Sequence, residues 1–125
     1  MTIKNIIDLV AWQEARKLCH EIYLLTKKFP PEEKFNIIRH LRESARGVMA
    51  NLAEGFGRYF FRESLKFYGI SRGCLEEVRS DLYLALDNGY INQEELSHHL
   101  IQINKVSALI NGLISSTNKR LNLDN

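Results

Sequence analysis

Two prolines and seven glycines in 125 residues leave few positions that force a helix to stop. Cysteine is scarcer still: Cys19 and Cys74 stand among apolar neighbours at helical spacing, which points to reduced, buried thiols rather than a disulfide or a metal site. Long hydrophobic runs are lacking, and stretches of a few apolar residues cannot form a membrane-spanning helix. The N-terminal Met1-Thr2-Ile3-Lys4-Asn5 has neither the apolar core nor the cleavage site of a signal peptide, so the cytoplasm is the expected compartment. A formal net charge of +2 is too small to argue for nucleic acid by itself.

Patterns that carry catalytic chemistry are equally few. His20, His40, His98 and His99 show no convincing metal spacing, since adjacent residues such as His98 and His99 point in different directions around a helix. Glu54 and Glu77 facing each other across two helices would resemble part of a bundle di-metal site, but a metal is not expected. Gly55-Phe56-Gly57 follows no strand and precedes no Gly-Lys-Ser/Thr, so it is not a phosphate loop. No nucleophile stands at a recognisable spacing from a base; the expectation is a non-enzyme with no cofactor.

What the chain has is an ordinary globular mixture, 45% hydrophobic and 26% charged, long enough for one core and one domain over residues 1–125. Apolar residues recur at helical spacing in four segments, predicted at about 8–28, 31–55, 62–88 and 93–118. The first runs through Trp12, Ala15, Cys19, Ile22, Leu25 and Phe29, with Asp8 as its N-cap. Phe29-Pro30-Pro31 breaks it, and Pro31-Glu32-Glu33 is a favourable start for the next. Ile38, Leu41, Ala45, Val48 and Leu52 form a heptad-like seam on the second. On the third, Tyr68, Leu75, Val78, Leu82 and Ala85 form one seam, and Phe67, Ile70, Cys74 and Leu84 a second stripe that implies a second partner. Asn88-Gly89 ends that helix, and Asn92 with Glu95 reads as a capping box for a fourth, whose inward residues are Leu96, Leu100, Ile103, Val106, Ile110, Leu113 and Thr117. The tail from Asn118 is expected to fray. With no strand-like alternation, the predicted fold is all-α, an antiparallel up-down-up-down four-helix bundle.

Two constellations stand out on that frame. Asn51, Glu54 and Arg58 lie at i, i+3 and i+7 where the second helix ends, with Gly55 and Gly57 expected to take the left-handed C-terminal conformation. They predict a covered polar lock at a helix-helix corner, formed by Asn51, Glu54, Gly55, Arg58 and Glu77. The second constellation is basic: residues 39 to 79 hold eight cationic and five acidic side chains, a balance of +3 against −1 for the rest. Arg39, Arg42 and Arg46 share one helical stripe that can track phosphates, although Glu43 can pair with its neighbours. Arg58, Arg62 and Lys66 form a second line interleaved with Tyr59, Phe60 and Phe61, which suits a single strand with stacked bases or, alternatively, an oligomer contact.

Leu9-Val10-Ala11-Trp12-Gln13, Phe29-Pro30, Leu41-Arg42, the string from Asn51 to Arg58, and Gly73-Cys74-Leu75-Glu76-Glu77 together carry a family resemblance. From about Asp8 to Thr117 the chain resembles the four-helix-bundle proteins encoded within intervening sequences of bacterial 23S ribosomal RNA genes. That family is similar to the accessory protein of diversity-generating retroelements. The resemblance implies a homopentamer around a central channel, with nucleic acid as partner and no catalytic activity or cofactor. Glu43 stands where the family pattern usually has an arginine, Met49 where it has proline and Cys74 where it has serine; Glu43 lowers the second helix by two charge units. The expectation is therefore a homo-oligomeric bundle that binds RNA or DNA through Arg39, Arg42, Arg46, Arg58, Arg62 and Lys66. The alternative is an interaction scaffold for a protein partner such as a reverse transcriptase.

Overall fold

The computed structural model describes residues 3–124, which form four α-helices and, among the described residues, no strand. They are α1 (Val10–Thr26), α2 (Ile37–Phe56), α3 (Phe61–Asp87) and α4 (Gln93–Asp124), packed as α1 on α2, α2 on α3, α3 on α4 and α4 back on α1. None is long and apolar enough to cross a membrane.

The seam expected on α2 is buried throughout, as is that on α3, where Ser64 and Ser71 complete the stripe. These two helices make the most extensive pairing in the bundle. Ser71 serves it directly, its hydroxyl donating to the Val48 carbonyl at 2.6 Å in a fully buried position. On α1 the inward positions are Ala11, Ala15, Leu18, Ile22 and Leu25, while Trp12 and Cys19 lie at the edge of the core. Ala15, Ile22, Leu25 and Phe29 are thus buried as expected, and the stripe differs only where Ala11 and Leu18 replace Trp12 and Cys19, one position back along the helix. On α4 Leu96, Ile103, Val106, Ile110 and Thr117 are buried, with Leu100 and Leu113 half-covered.

The helix ends show which local signals held. Gly89, at φ 76°, closes α3: its N–H donates to Leu86 O and that of Tyr90 to Ala85 O, the paired bonds of a Schellman turn. Asn92 and Glu95 form the expected reciprocal box, Asn92 N–H donating to Glu95 Oε1 at 3.0 Å and Glu95 N–H to Asn92 Oδ1 at 2.8 Å. Asp8 does not cap α1. It lies in a 3-10 turn, Ile6–Asp8, and α1 starts after the extended, buried Leu9, with Gln13 Nε2 donating back to Ile7 O at 2.7 Å. Likewise Pro31–Glu33 forms only a 3-10 turn, and α2 begins six residues later than expected, where Ile37 and Ile38 reach the core. Nor does the chain fray at Asn118: α4 continues to Asp124, its extension begun at buried Thr117 and carried past half-buried Leu121.

Candidate nucleic-acid interface

Between Phe56 and Phe61 the chain turns with few intervening residues, and short connections leave large side chains no core to reach. Tyr59 is 88% exposed and Phe60 63%, their rings edge to face at 4.9 Å. Phe60 is the extended residue before α3, and its carbonyl accepts from Ser64 Oγ at 3.3 Å. Arg58 lies over the Phe67 ring at 4.6 Å, with Lys66 over the same ring at 6.0 Å. Arg62 is exposed one turn away and makes no ion pair among the described residues. Behind this corner a cavity of about 410 Å³ is floored by Phe56, Phe61 and Tyr68 and edged by Arg58, Lys4 and Arg120. Cations from the N-terminal segment and the end of α4 thereby join the corner. Burial pushes the Tyr68 hydroxyl up from its usual pKa, against the opposing pull of Arg120, so it stays a neutral donor.

The covered polar lock does not form. Glu54 and Arg58 do pair, at 2.6 Å, but with side chains 53% and 39% exposed, and Asn51 Nδ2 donates to Gly47 O within its own helix. An exposed i,i+4 pair contributes only about 0.2–1 kcal/mol. Gly55 does not stop the helix either. It sits inside α2, and neither it nor Gly57 has a positive φ. Its role is close approach: a Cβ at Gly55 would stand 2.6 Å from the Tyr68 ring and 2.9 Å from Ser64 O.

Glu77 lies far from Glu54, at the other end of the α2–α3 pairing, where Ser44 Oγ donates to its carboxylate at 3.2 Å and His40 Nε2 stands 3.8 Å away. His40 Nδ1 also bonds Asp81. The Asp81 hydrogen bond is the main cause of a His40 pKa raised from its ordinary 6.5, with the charges of Asp81, Glu77 and Glu43 adding to it against burial. A raised folded-state pKa gives stabilisation that is fully present below 6.5 and fades as pH rises through the folded value. His99 has the opposite sign, since burial lowers its pKa, so its contribution opposes that of His40. The difference between wild type and His40→Gln isolates the first effect. Urea midpoints should show His40→Gln less stable at about pH 5.5 and nearly equal to wild type at about pH 8.5.

The α2 stripe of arginines is largely spoken for. Arg39 Nε bonds Glu43 at 3.0 Å. Arg42 turns toward α1, its Nε donating to Thr26 Oγ1 at 2.8 Å, an Nη to Tyr23 O at 3.3 Å, and its guanidinium lying 4.6 Å over the Tyr23 ring. Of the three only Arg46 keeps an exposed guanidinium without an ion pair among the described residues. The expected second stripe on α3 divides too: Phe67 and Cys74 are partly covered, whereas Ile70 and Leu84 are each nearly half exposed. Within the chain α3 already has two partners, α2 and α4.

The family model described as 23S rRNA-intervening sequence protein matches residues 7–112. The chain belongs to that family. A solved structure of a protein with unknown function from the S23 ribosomal protein family of Bacteroides thetaiotaomicron is similar to it in fold. Its TM-score is 0.79 at 19% identity, over 85% of this chain and 96% of that one. None of the curated proteins compared matches this chain. In this member of the 23S rRNA-intervening sequence family, the α2–α3 corner lies inside the matched residues. Lys4 and Arg120, which edge its cavity, lie outside them. Sequence reading passed over both, because they stand near the two ends of the chain, outside the basic middle segment; only the closing of the bundle end brings them to Arg58.

At the opposite seam the structure brings together two residues that sequence reading sets aside as metal ligands, since adjacent helical positions are expected to diverge. Glu21 of α1 meets His98 and His99 of α4, with His98 Nε2 3.6 Å from Glu21 Oε1. The carboxylate that meets them comes from α1, 77 residues from His98, and is visible only in three dimensions. Burial raises the pKa of both Cys19 and Cys74, which keeps these thiols protonated and weakly nucleophilic.

Proposed function

We propose that this chain is a non-enzymatic, homo-oligomeric bundle that binds single-stranded nucleic acid at the α2–α3 corner. The observation that carries the reading is the pair of exposed aromatics, Tyr59 and Phe60, set among Arg58, Arg62 and Lys66. Aromatic faces accept any base by stacking, and cations beside them neutralise the backbone, which together favour a flexible strand over a duplex. Arg39, Arg42 and Arg46 are secondary in this reading, because Arg42 is committed to α1 and Arg39 to Glu43. Assembly into a ring, a pentamer by family resemblance, would repeat the corner in each subunit and turn a weak patch into a useful affinity. Half-exposed Ile70 and Leu84 on α3 and exposed Ile101 on α4 support subunit contacts.

The test is fluorescence anisotropy with a single-stranded fragment of 23S rRNA, single-stranded DNA and a duplex, at about 50 and 200 mM salt. Binding should favour single strands, weaken as salt rises and fall about tenfold in Tyr59→Ala, with the oligomer mass from light scattering unchanged. Loss of assembly in Tyr59→Ala, or no binding at low salt, would favour the alternative of a scaffold for a protein partner, with the aromatics as a subunit or partner contact.

A further inference from the structure

The α1–α4 seam is the most thinly packed of the four helix pairings, and three charged pairs lie across it. Lys28 pairs with Glu95, Lys105 with Glu14 at 3.4 Å, and His98 with Glu21 at 3.6 Å. Beside the first of these pairs is an open cavity of about 550 Å³ whose walls include Glu21, His98, His99, Glu94, Glu95 and Lys28. His99 is only 6% exposed, and its Nδ1 is a buried atom without a well-formed hydrogen bond, as is the Oε1 of neighbouring Gln102, a polar side chain placed to meet it. Such an atom is costly unless something meets it. The imidazole rings of His98 and His99 are 5.0 Å apart and nearly perpendicular. One ligand atom each from Glu21, His98 and His99 falls within 4.8 Å of the others.

We propose that Glu21, His98 and His99 form a divalent transition-metal site of the zinc class that clips α1 to α4. Two imidazole nitrogens and one carboxylate are a donor set zinc accepts, with the remaining position left to solvent or an exogenous ligand. Nitrogen and oxygen donors about 2.1 Å from tetrahedral zinc stand roughly 3.4 Å apart, so the three groups close in by side-chain rotation without moving the helices. Lys28, the cation on the cavity wall, is already paired with Glu95 and is not a free competitor for Glu21. The carboxylate offsets one of the two charges the ion brings, and Glu94 supplies further negative potential at the rim.

The experiment is calorimetric titration of the untagged full chain with zinc sulfate in a non-coordinating buffer, paired with thermal unfolding with and without zinc. One ion per chain should bind in a saturable isotherm, and zinc should raise the melting temperature, because binding to the folded state alone stabilises it. His98→Ala and Glu21→Gln, both at positions with solvent access, should each weaken binding at least about tenfold and abolish the thermal shift. Their metal-free melting temperatures should stay close to wild type. No saturable binding up to millimolar zinc would overturn the site, as would wild-type affinity in both variants, which would assign the ion to His20 or His40.

Discussion

Replacing Gly55 by valine is expected to lower the unfolding free energy by about 3 kcal/mol, read as a large drop in urea midpoint with little change in slope. The α2–α3 pairing is the most extensive in the bundle, and at Gly55 it leaves no room for a side chain: a Cβ there would meet two atoms of the Tyr68 ring at 2.6 and 2.8 Å and the Ser64 carbonyl at 2.9 Å. Tyr68 is buried at 4% exposure, and even if its ring shifts into the cavity it lines, the contact with Ser64 O remains, because that atom belongs to the backbone. The strain therefore has to be relieved by separating α2 from α3, which also loosens the Ser71 bond to Val48. Helix propensity works the other way, since glycine inside a helix costs up to about 1 kcal/mol relative to alanine, but the overlap outweighs it. A Gly55→Val chain as stable as wild type would show that the two helices are not held at this distance.

Arg42→Ala should cost about 2 kcal/mol of stability, measured by urea unfolding at neutral pH. Arg42 anchors α2 to the end of α1 through two charged hydrogen bonds and a guanidinium laid on Tyr23, and charged hydrogen bonds each contribute about 1.5–3 kcal/mol in favourable settings. The estimate takes the lower part of that range, because the 3.3 Å bond to Tyr23 O is exposed and Thr26 remains satisfied by Ile22 O at 2.8 Å. A double-mutant cycle with Tyr23→Leu separates the ring contact from the hydrogen bonds. A cost below about 0.5 kcal/mol would return Arg42 to the solvent-facing stripe and reopen it as a phosphate contact. Charge reversal at Arg42 by itself does not distinguish nucleic-acid binding from assembly, since either readout is confounded by damage to the α1–α2 contact.

How far the residues could be read depended on how local their interactions are. The seams of α2 and α3 were legible because side chains three and four apart share a helical face whatever the surroundings. The Asn92–Glu95 box and the Gly89 turn were legible because each closes within a few residues. The same reasoning misled at Gly55, where a glycine near a helix end reads as a stop signal, while its actual neighbour, Tyr68, is 13 residues away. It misled at Arg42 and Glu77 too. Both were placed by spacing along one helix, and both are held by another: Arg42 by α1, and Glu77 by Ser44 and His40 of α2.

By itself the sequence determined the all-α architecture, the inward faces of α2, α3 and α4, and the local closures that end α3 and open α4. These follow from backbone periodicity and short-range hydrogen bonding, which need no knowledge of the partner helix. Tertiary structure alone decided which charges stay free. It committed Arg42 to the end of α1, brought Lys4 and Arg120 to the α2–α3 corner, and set Glu21 against His98 and His99. The reason is physical: a charged side chain takes its role from whatever lies within a few ångströms, and in an antiparallel bundle those neighbours come from distant parts of the chain.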